Sequence, residues 1–536
     1  MIQYARAQAG RAAAVAVGEM EVVLSLVRWF IAPLVFYVLL AVFFLPAYRY
    51  AINTDATSYI TIAQKYARGD LAGAVNGIWQ PLYCWLLAVP IRFGLDPLLS
   101  AKCVQIFCGG LTLAASALLS LRMSFDDRER EVLLFTLVPV VMQVTFFTMT
   151  PDLLFAALAL FYFAAVLDTG FPDLKGPAFC GLLGGLAFLA KAYALPFFIA
   201  HFTLMNVLQA FKWGSWKRPL LSLLCGLGVF ASVVAAWSVP LSLKYGRFTV
   251  CEAFSFNASA SLAGDWPIAV RFRPPVNPTA LSVWEDPAYL PMEKMPHLGI
   301  RQIVHRAVDR LLENTRNALG MLKRFSPLCL PAILLALALC FRPGTLREEP
   351  AIPALLLSGL LMIGGYLPVN IETRYIWSAQ ILIVFLAFGL ISMFSRAAGI
   401  SERRQNLILL LACFTFIAGP LARIEYEPRK SWEDIRLASE TLAAYGVSGR
   451  LASDSQWEKS LYLGFFLKGK YYGEEQPGIS DEALRRQLNG LGIDYFFVWR
   501  PGPVPRFLRS YPCVVRGLSV SDPEEGPQSL RVFRLR

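Results

Sequence analysis

The sequence predicts an all-α polytopic membrane protein that ends in a small α/β domain. Three observations carry this prediction. Of the 536 residues, 56% fall in the AVILMFWYC set and only 16% are charged, against about 25% charged in soluble domains. The mean hydropathy is +0.50. Charge-free runs long enough to enter a bilayer recur along the chain, and roughly eleven spans of about 20 residues would absorb the apolar excess. Soluble enzymes, disordered chains and disulfide-rich secreted domains are excluded.

Charge-free runs place the spans at Trp29–Tyr48, Cys103–Leu121, Val132–Pro151, Leu153–Leu167, Gly176–Ala190, Ala192–Phe211 and Pro219–Leu243, then at Phe325–Phe341, Ala351–Ile371, Tyr375–Ser395 and Asn406–Ala422. The first has no small-residue cleavage site behind it, so it is expected to be a retained helix rather than a signal peptide. Leu71–Ile91 is also charge-free, but Gly73, Asn76, Gly77, Pro81 and Pro90 interrupt it. It is expected to be a short helix at the membrane surface.

The net charge of +12 reads as orientation, not as a nucleic-acid partner. Short loops on one side hold Arg122, Arg128, Arg130, Lys175, Lys212, Lys217, Arg218, Arg342, Arg347, Arg396, Arg403 and Arg404. The short turns opposite hold Lys191 and Arg374. The basic side is expected to be cytoplasmic, with the N-terminus (Arg6, Arg11) inside and the C-terminus outside. Of the ten cysteines, Cys103, Cys108, Cys180, Cys225, Cys329, Cys340 and Cys413 lie in apolar runs, where Cys serves as a small hydrophobe. No CxxC pair occurs and there are only three His, so a structural zinc site is not expected. Cys251 and Cys513 both fall outside and are a candidate pair.

The transmembrane catalytic domain is then expected at 1–423 and the extracytoplasmic α/β domain at 424–536, with outer loops near 49–102 and 244–324. The second loop closes in an amphipathic helix, with Val304, Ala307, Val308, Leu311 and Leu312 on one face and Arg301, Arg306, Arg310 and Arg316 elsewhere. It is expected to lie along the bilayer interface. The tail alternates strand and helix patterns at Arg450–Ser453, Trp457–Leu467, Ser480–Leu491, Asp494–Trp499 and Leu530–Leu535.

On this topology a few ionisable residues meet at the outer boundary: Asp55 after span one, Asp152 between spans three and four, Lys191 between five and six, and Glu372 and Arg374 between nine and ten. Charges at that depth are costly and tend to mark sites, although any one of them in a short turn could simply be solvated. Two carboxylates and two cations suit transfer from a lipid phosphate. Lys191 and Arg374 would hold the phosphate, and one carboxylate would take a proton from an incoming hydroxyl. The other would orient the acceptor or hold a divalent cation through oxygen ligands. Tyr59, Trp79, Tyr83 and Trp85 would cover a sugar face or form an interfacial belt.

In order along the chain, Asn53-Thr-Asp-Ala-Thr-Ser-Tyr59, Gly77-Ile-Trp-Gln-Pro-Leu-Tyr83, Thr150-Pro-Asp-Leu-Leu154, Gly181-Leu-Leu-Gly-Gly-Leu-Ala-Phe-Leu-Ala-Lys191 and Glu372-Thr-Arg-Tyr375 resemble motifs of the GT-C superfamily. These multispan glycosyltransferases use polyprenyl-phosphate sugars, and the likeness is to bacterial relatives of protein mannosyltransferases and lipid A aminoarabinose transferases. The resemblance implies inverting transfer at the periplasmic face of a bacterial inner membrane, with Asp55 as base and Asp152 as a second catalytic carboxylate. Lys191 and Arg374 are carried over as donor-phosphate contacts. Tyr59, Trp79, Gln80, Tyr83, Glu372 and Tyr375 are expected at the substrate. The partners implied are the polyprenyl-phosphate sugar, membrane lipids and a lipid, glycan or protein acceptor. A cofactor, if one takes part, would be Mg or Mn on Asp55 and Asp152. The sequence departs from the family in two places: Ala56 stands where many members have a second acidic residue, and Gln80-Pro81 replaces a paired proline. The sequence leaves two alternatives open, a flippase for lipid-linked sugars and an assembly scaffold working through its tail.

Overall fold

The structure, a computed structural model, describes residues 26–168, 174–263, 271–289, 300–342, 349–426, 429–521 and 527–536. Arg6, Arg11 and Arg347 lie outside these residues. The chain is a multi-pass membrane protein, mostly helical, with a small mixed sheet near its C-terminal end.

Each expected span coincides with a helix, but the helices differ in what they can cross. Among the described residues six are long and apolar enough alone: Arg28–Tyr48, Pro97–Ser120, Ala194–Trp213, Lys217–Tyr245, Thr373–Ala397 and Glu402–Ile424. A seventh results if Val304–Phe325 and Cys329–Cys340, which meet at a 110° bend, are counted as one. Asp152–Val166, Lys175–Ala190 and Ala351–Gly364 have 15, 16 and 14 residues. At 1.5 Å per residue they reach less than a hydrocarbon core of about 30 Å. Asp127–Phe147 spends its first turn on charge, where Asp126 and Glu129 form a capping box. Leu39, Val42 and Phe43 of the first helix are exposed, as are Leu407, Leu411 and Phe414 of Glu402–Tyr426. An exposed apolar stripe of this kind faces lipid.

The helices used below are numbered in chain order as α1 (Thr54–Arg68), α2 (Pro81–Arg92), α3 (Pro97–Ser120), α4 (Asp127–Phe147), α5 (Asp152–Val166), α6 (Lys175–Ala190), α7 (Lys217–Tyr245), α8 (Ile300–Phe325), α9 (Trp377–Ala397), α10 (Trp457–Phe466) and α11 (Asp481–Leu491). The expected surface helix Leu71–Ile91 is instead two helices. Leu71–Ala74 makes one turn, and α2 begins only at Pro81. Between them, the Asn76 side chain caps the Ile78 and Trp79 amides at 2.9 and 3.0 Å, which turns the chain before proline can start the helix. The glycines of α6 are there for packing: a Cβ at Gly181 would run into the Gly226 carbonyl of α7, and one at Gly184 into the Phe198 ring. Close backbone approach of this kind fixes where α6 ends and therefore where Lys191 sits.

The tail holds a five-stranded sheet in the order β2-β1-β3-β5-β4, made of β1 (Arg450–Ser453), β2 (Lys470–Glu474), β3 (Tyr495–Val498), β4 (Cys513–Val520) and β5 (Gln528–Arg534). β1 is parallel to β2 and β3, with α10 and α11 as the crossovers, while β5 runs antiparallel to β3 and β4. Sequence patterning missed β2, β4 and the helix Arg429–Ala444. The free edge of β2 is covered by the second long loop: Arg273 donates to the Tyr472 carbonyl at 2.7 Å, and Tyr471 donates to that of Leu281 at 2.8 Å. Cys251 and Cys513 are both free thiols.

Candidate active site

Two short connections bring the acidic residues of the sequence motifs together. Asp55 sits in the first turn of α1, and Asp152 opens α5. The turn before Asp152 is pinned on two sides. The Gln105 amide of α3 donates to the carbonyls of Thr148 and Thr150, both at 2.9 Å. Asn53, just before α1, accepts from the Met149 amide at 3.0 Å. The start of α1, the end of α4 and the start of α5 are thereby held together against α3.

Both carboxylates are buried, Asp55 at 8% exposure and Asp152 at 4%, and each is matched by a cation. Asp55 Oδ2 accepts from Arg374 Nη1 at 2.6 Å, and Arg374 Nε reaches Glu372 at 2.8 Å. Asp152 Oδ1 pairs with Lys191 Nζ, while its Oδ2 accepts from Thr150 at 2.6 Å. Tyr375 joins the pairs. The Lys191 ammonium stands 4.0 Å from its ring centroid and the Arg374 guanidinium 5.2 Å. Its hydroxyl donates to Glu372 at 3.2 Å. Behind it, Tyr366 stacks on Tyr375 at 4.8 Å and Tyr193 on Tyr366 at 3.8 Å.

The remaining predicted residues form an aromatic wall on the side of α1. Tyr59 lies one turn after Asp55, and its ring meets Trp79 at 5.1 Å and Tyr83 at 5.3 Å. Burial pushes the Tyr59 phenol well above its ordinary pKa, and the Asp55 charge adds to this. Gln80 holds the position just before α2, next to Trp79, with no side-chain capping hydrogen bond. Trp85 is not part of the wall. It packs edge-on against Tyr66 and Trp237 on the far face of α2.

Trp284 is the principal residue that sequence reasoning missed. Its indole N–H donates a long hydrogen bond, 3.4 Å, to Asp55 Oδ1, and its carbonyl accepts from Ser58 and Trp79, both at 3.2 Å. The ring also meets Trp457 of α10 at 6.3 Å, which ties the tail to the site. The next residue, Glu285, is buried in an ion pair with Lys65 and accepts from Thr61 at 2.8 Å. Asp286 pairs with Lys244 at 2.5 Å. The sequence signal was a Trp followed by two acids, Ser282-Val-Trp-Glu-Asp286, after the uncharged stretch 274–281. As for metals, each carboxylate is already engaged by a cation. Among the described residues no three His, Cys, Asp or Glu converge as a ligand group. The residues present do not fit a resident divalent ion, and no step below uses one.

Similarity to solved structures follows this geometry along almost the whole chain. ArnT from Cupriavidus metallidurans, bound to undecaprenyl phosphate, matches with a TM-score of 0.54 at 14% identity over 97% of this chain and 98% of that one. The chain has a GT-C-like fold. An Archaeoglobus fulgidus oligosaccharyltransferase in complex with Zn and sulfate matches at TM-score 0.53 and 15% identity, over 83% of this chain. This chain spans 64% of that longer protein. The archaeal oligosaccharyltransferase AglB from the same organism, in complex with an inhibitory peptide and a dolichol-phosphate, matches at TM-score 0.50 and 11% identity, over 88% of this chain and 69% of that one. No protein-family model and no curated protein matches the sequence.

Proposed function

We propose that this chain is an integral-membrane, inverting glycosyltransferase. It would move a sugar from a polyprenyl phosphate to a hydroxyl of a lipid, glycan or protein acceptor at the loop-bearing face. The observation that carries this reading is the pair of buried carboxylate–cation contacts joined across Tyr375, in a fold whose solved neighbours bind undecaprenyl phosphate and dolichol-phosphate. In the reaction the acceptor oxygen attacks the anomeric carbon from the side opposite the phosphate, and Asp55 takes its proton. The bond from that carbon to the phosphate oxygen breaks, and the polyprenyl phosphate leaves with the electron pair. Lys191 and Arg374 hold the charge that develops on it. Arg374 gives two of its five N–H donors to Asp55 and Glu372, and Lys191 gives one of its three to Asp152, so both keep donors for the phosphate without leaving their carboxylates.

The proposed topology has eleven spans, short ones included, with a transmembrane domain over 1–423 and a tail domain over 424–536. The N-terminus would be cytoplasmic and the tail would stand in the periplasm of a bacterial inner membrane. Transfer of label from a polyprenyl-phosphate sugar by the protein in proteoliposomes tests the reading. The label should reach a hydroxyl acceptor with inverted configuration, and Asp55→Asn should slow this by about 10²–10⁴. Passage of the intact donor across sealed vesicles without transfer would make the protein a flippase instead.

A further inference from the structure

Around the two ion pairs the charged groups are matched, but several neutral polar groups are not. Gln80 is 1% exposed, and neither its amide nitrogen nor its amide oxygen has a hydrogen-bond partner among the described residues. The hydroxyls of Tyr83 and Tyr366, also buried, are equally without partners there. A buried donor or acceptor left unmade is costly, so unmatched ones normally mark a group that something else satisfies. The three residues bracket the site from two sides. Tyr83 meets Tyr59, one turn from Asp55. Gln80 lies one turn before Tyr83 at the cap of α2. On the opposite side, Tyr366 stacks on Tyr375 with its ring 5.3 Å from the Lys191 ammonium.

The chemistry of the unmatched groups is informative. An amide and two phenols offer both donors and acceptors, and no net charge. The carboxylates that would greet an ammonium, Asp55 and Asp152, are already held by Arg374 and Lys191. The cations that would greet a sugar carboxylate are held by the same contacts. We infer that Gln80, Tyr83 and Tyr366 form the sugar subsite and that it takes an uncharged, hydroxyl-rich hexose or pentose, rejecting amino sugars and uronic acids. The inference rests on the transferase reading for its donor and goes beyond it in naming the sugar class.

The test uses purified full-length protein in proteoliposomes, with three polyprenyl-phosphate donors: a neutral hexose, a 4-amino-pentose and a hexuronic acid. Equilibrium binding and kcat/KM are measured for each. The neutral donor should lead both charged donors by about 100-fold or more, the scale expected when a substrate leaves buried polar groups unmatched. Gln80→Leu should raise the neutral donor's KM with little change in kcat. Gln80→Glu should weaken the neutral donor and improve the amino sugar, and its thermal unfolding midpoint shows whether it has folded. Equal or better use of the amino sugar or uronic acid by the native protein would overturn the inference. So would an unchanged neutral-donor KM in Gln80→Leu. If no donor is transferred, the transferase reading fails by itself, and the binding series still decides the sugar class.

Discussion

Buried charge occurs at both ends of the helical bundle, and the two clusters are built differently. At the end of the short basic turns, Glu129 is 3% exposed and fully engaged. One oxygen accepts from Ser392 and from Gln405, the latter at 2.6 Å, and the other accepts from the Asp126 amide at 2.8 Å. Arg396 stands 3.8 Å away and joins Glu349 and the Ser124 carbonyl to the same network. At the loop-bearing end, Asp55 and Asp152 are equally buried, but the neutral groups beside them are left unmatched. A closed network of this kind clamps α4 to α9, whereas an open one implies a ligand.

The largest effect separates the clusters by activity. Asp55→Asn should lower kcat per folded molecule by about 10²–10⁴, the usual contribution of a general base, over and above the stability lost by unpairing Arg374. Glu129→Gln should leave kcat per folded molecule unchanged while lowering stability by about 1–3 kcal/mol, the penalty of a buried group losing a partner. Transfer rates and denaturant unfolding in detergent, measured on the same preparations, read both. A kcat loss in Glu129→Gln comparable to that of Asp55→Asn would erase the distinction.

A double-mutant cycle sharpens it. Lys191→Met strands Asp152 in a buried site, which typically costs about 3–5 kcal/mol. Lys191→Met with Asp152→Leu should recover most of that stability and none of the transfer activity. If the double variant recovers transfer, the pair is a structural clasp like that of Glu129.

What could be read in advance follows from how the information is stored. Spans are local, so each apolar run located a helix, although the run could not show that Asp152–Val166 and Ala351–Gly364 stop short. Residues at span ends are fixed by topology, so Asp55, Asp152, Lys191 and Arg374 were legible as one group of charges from topology and motif order. Their pairing was not, because it depends on which side chain reaches which across the bundle. Trp284 was invisible for a stronger reason. It stands 229 residues from Asp55, in a loop with no periodicity, and only the folded chain brings it there. β2 and β4 escaped because their alternation is irregular, and both carry register shifts in their pairing.

Trp284 tests the missed region directly. Its indole N–H holds the Asp55 oxygen not taken by Arg374, while its ring packs between Trp79 and Trp457. Trp284→Phe keeps most of the packing and removes the donor. A single hydrogen bond of about 0.5–1.5 kcal/mol converts to a loss of roughly 2–12-fold in kcat, with donor KM unchanged. A larger loss accompanied by a lower unfolding midpoint would mean that packing of the loop against the tail, not orientation of Asp55, is what Trp284 supplies.

The smallest effect lies in the tail, where a third carboxylate cluster sits at the ends of the parallel strands. Glu475 pairs with Arg500 through one oxygen and leaves the other buried without a partner among the described residues. Burial lifts its pKa above the ordinary value against the pull of Arg500, and the Asp454 charge adds to the lift. Glu474 is raised in the same way, chiefly by burial. A carboxyl raised on folding binds its proton more tightly in the native state. Its contribution to stability is therefore complete below the unfolded value near 4.5 and is lost as pH rises through the folded value. Above that window the charged Glu475 is a burden that the Arg500 contact only partly offsets. Glu475→Gln should accordingly leave the unfolding midpoint of the full chain at pH 7 unchanged or slightly higher. It should also flatten the decline in midpoint as pH rises above about 4.5. A clear drop at pH 7 would show that the Arg500 pairing outweighs burial, which would make this cluster a closed clasp like the one around Glu129.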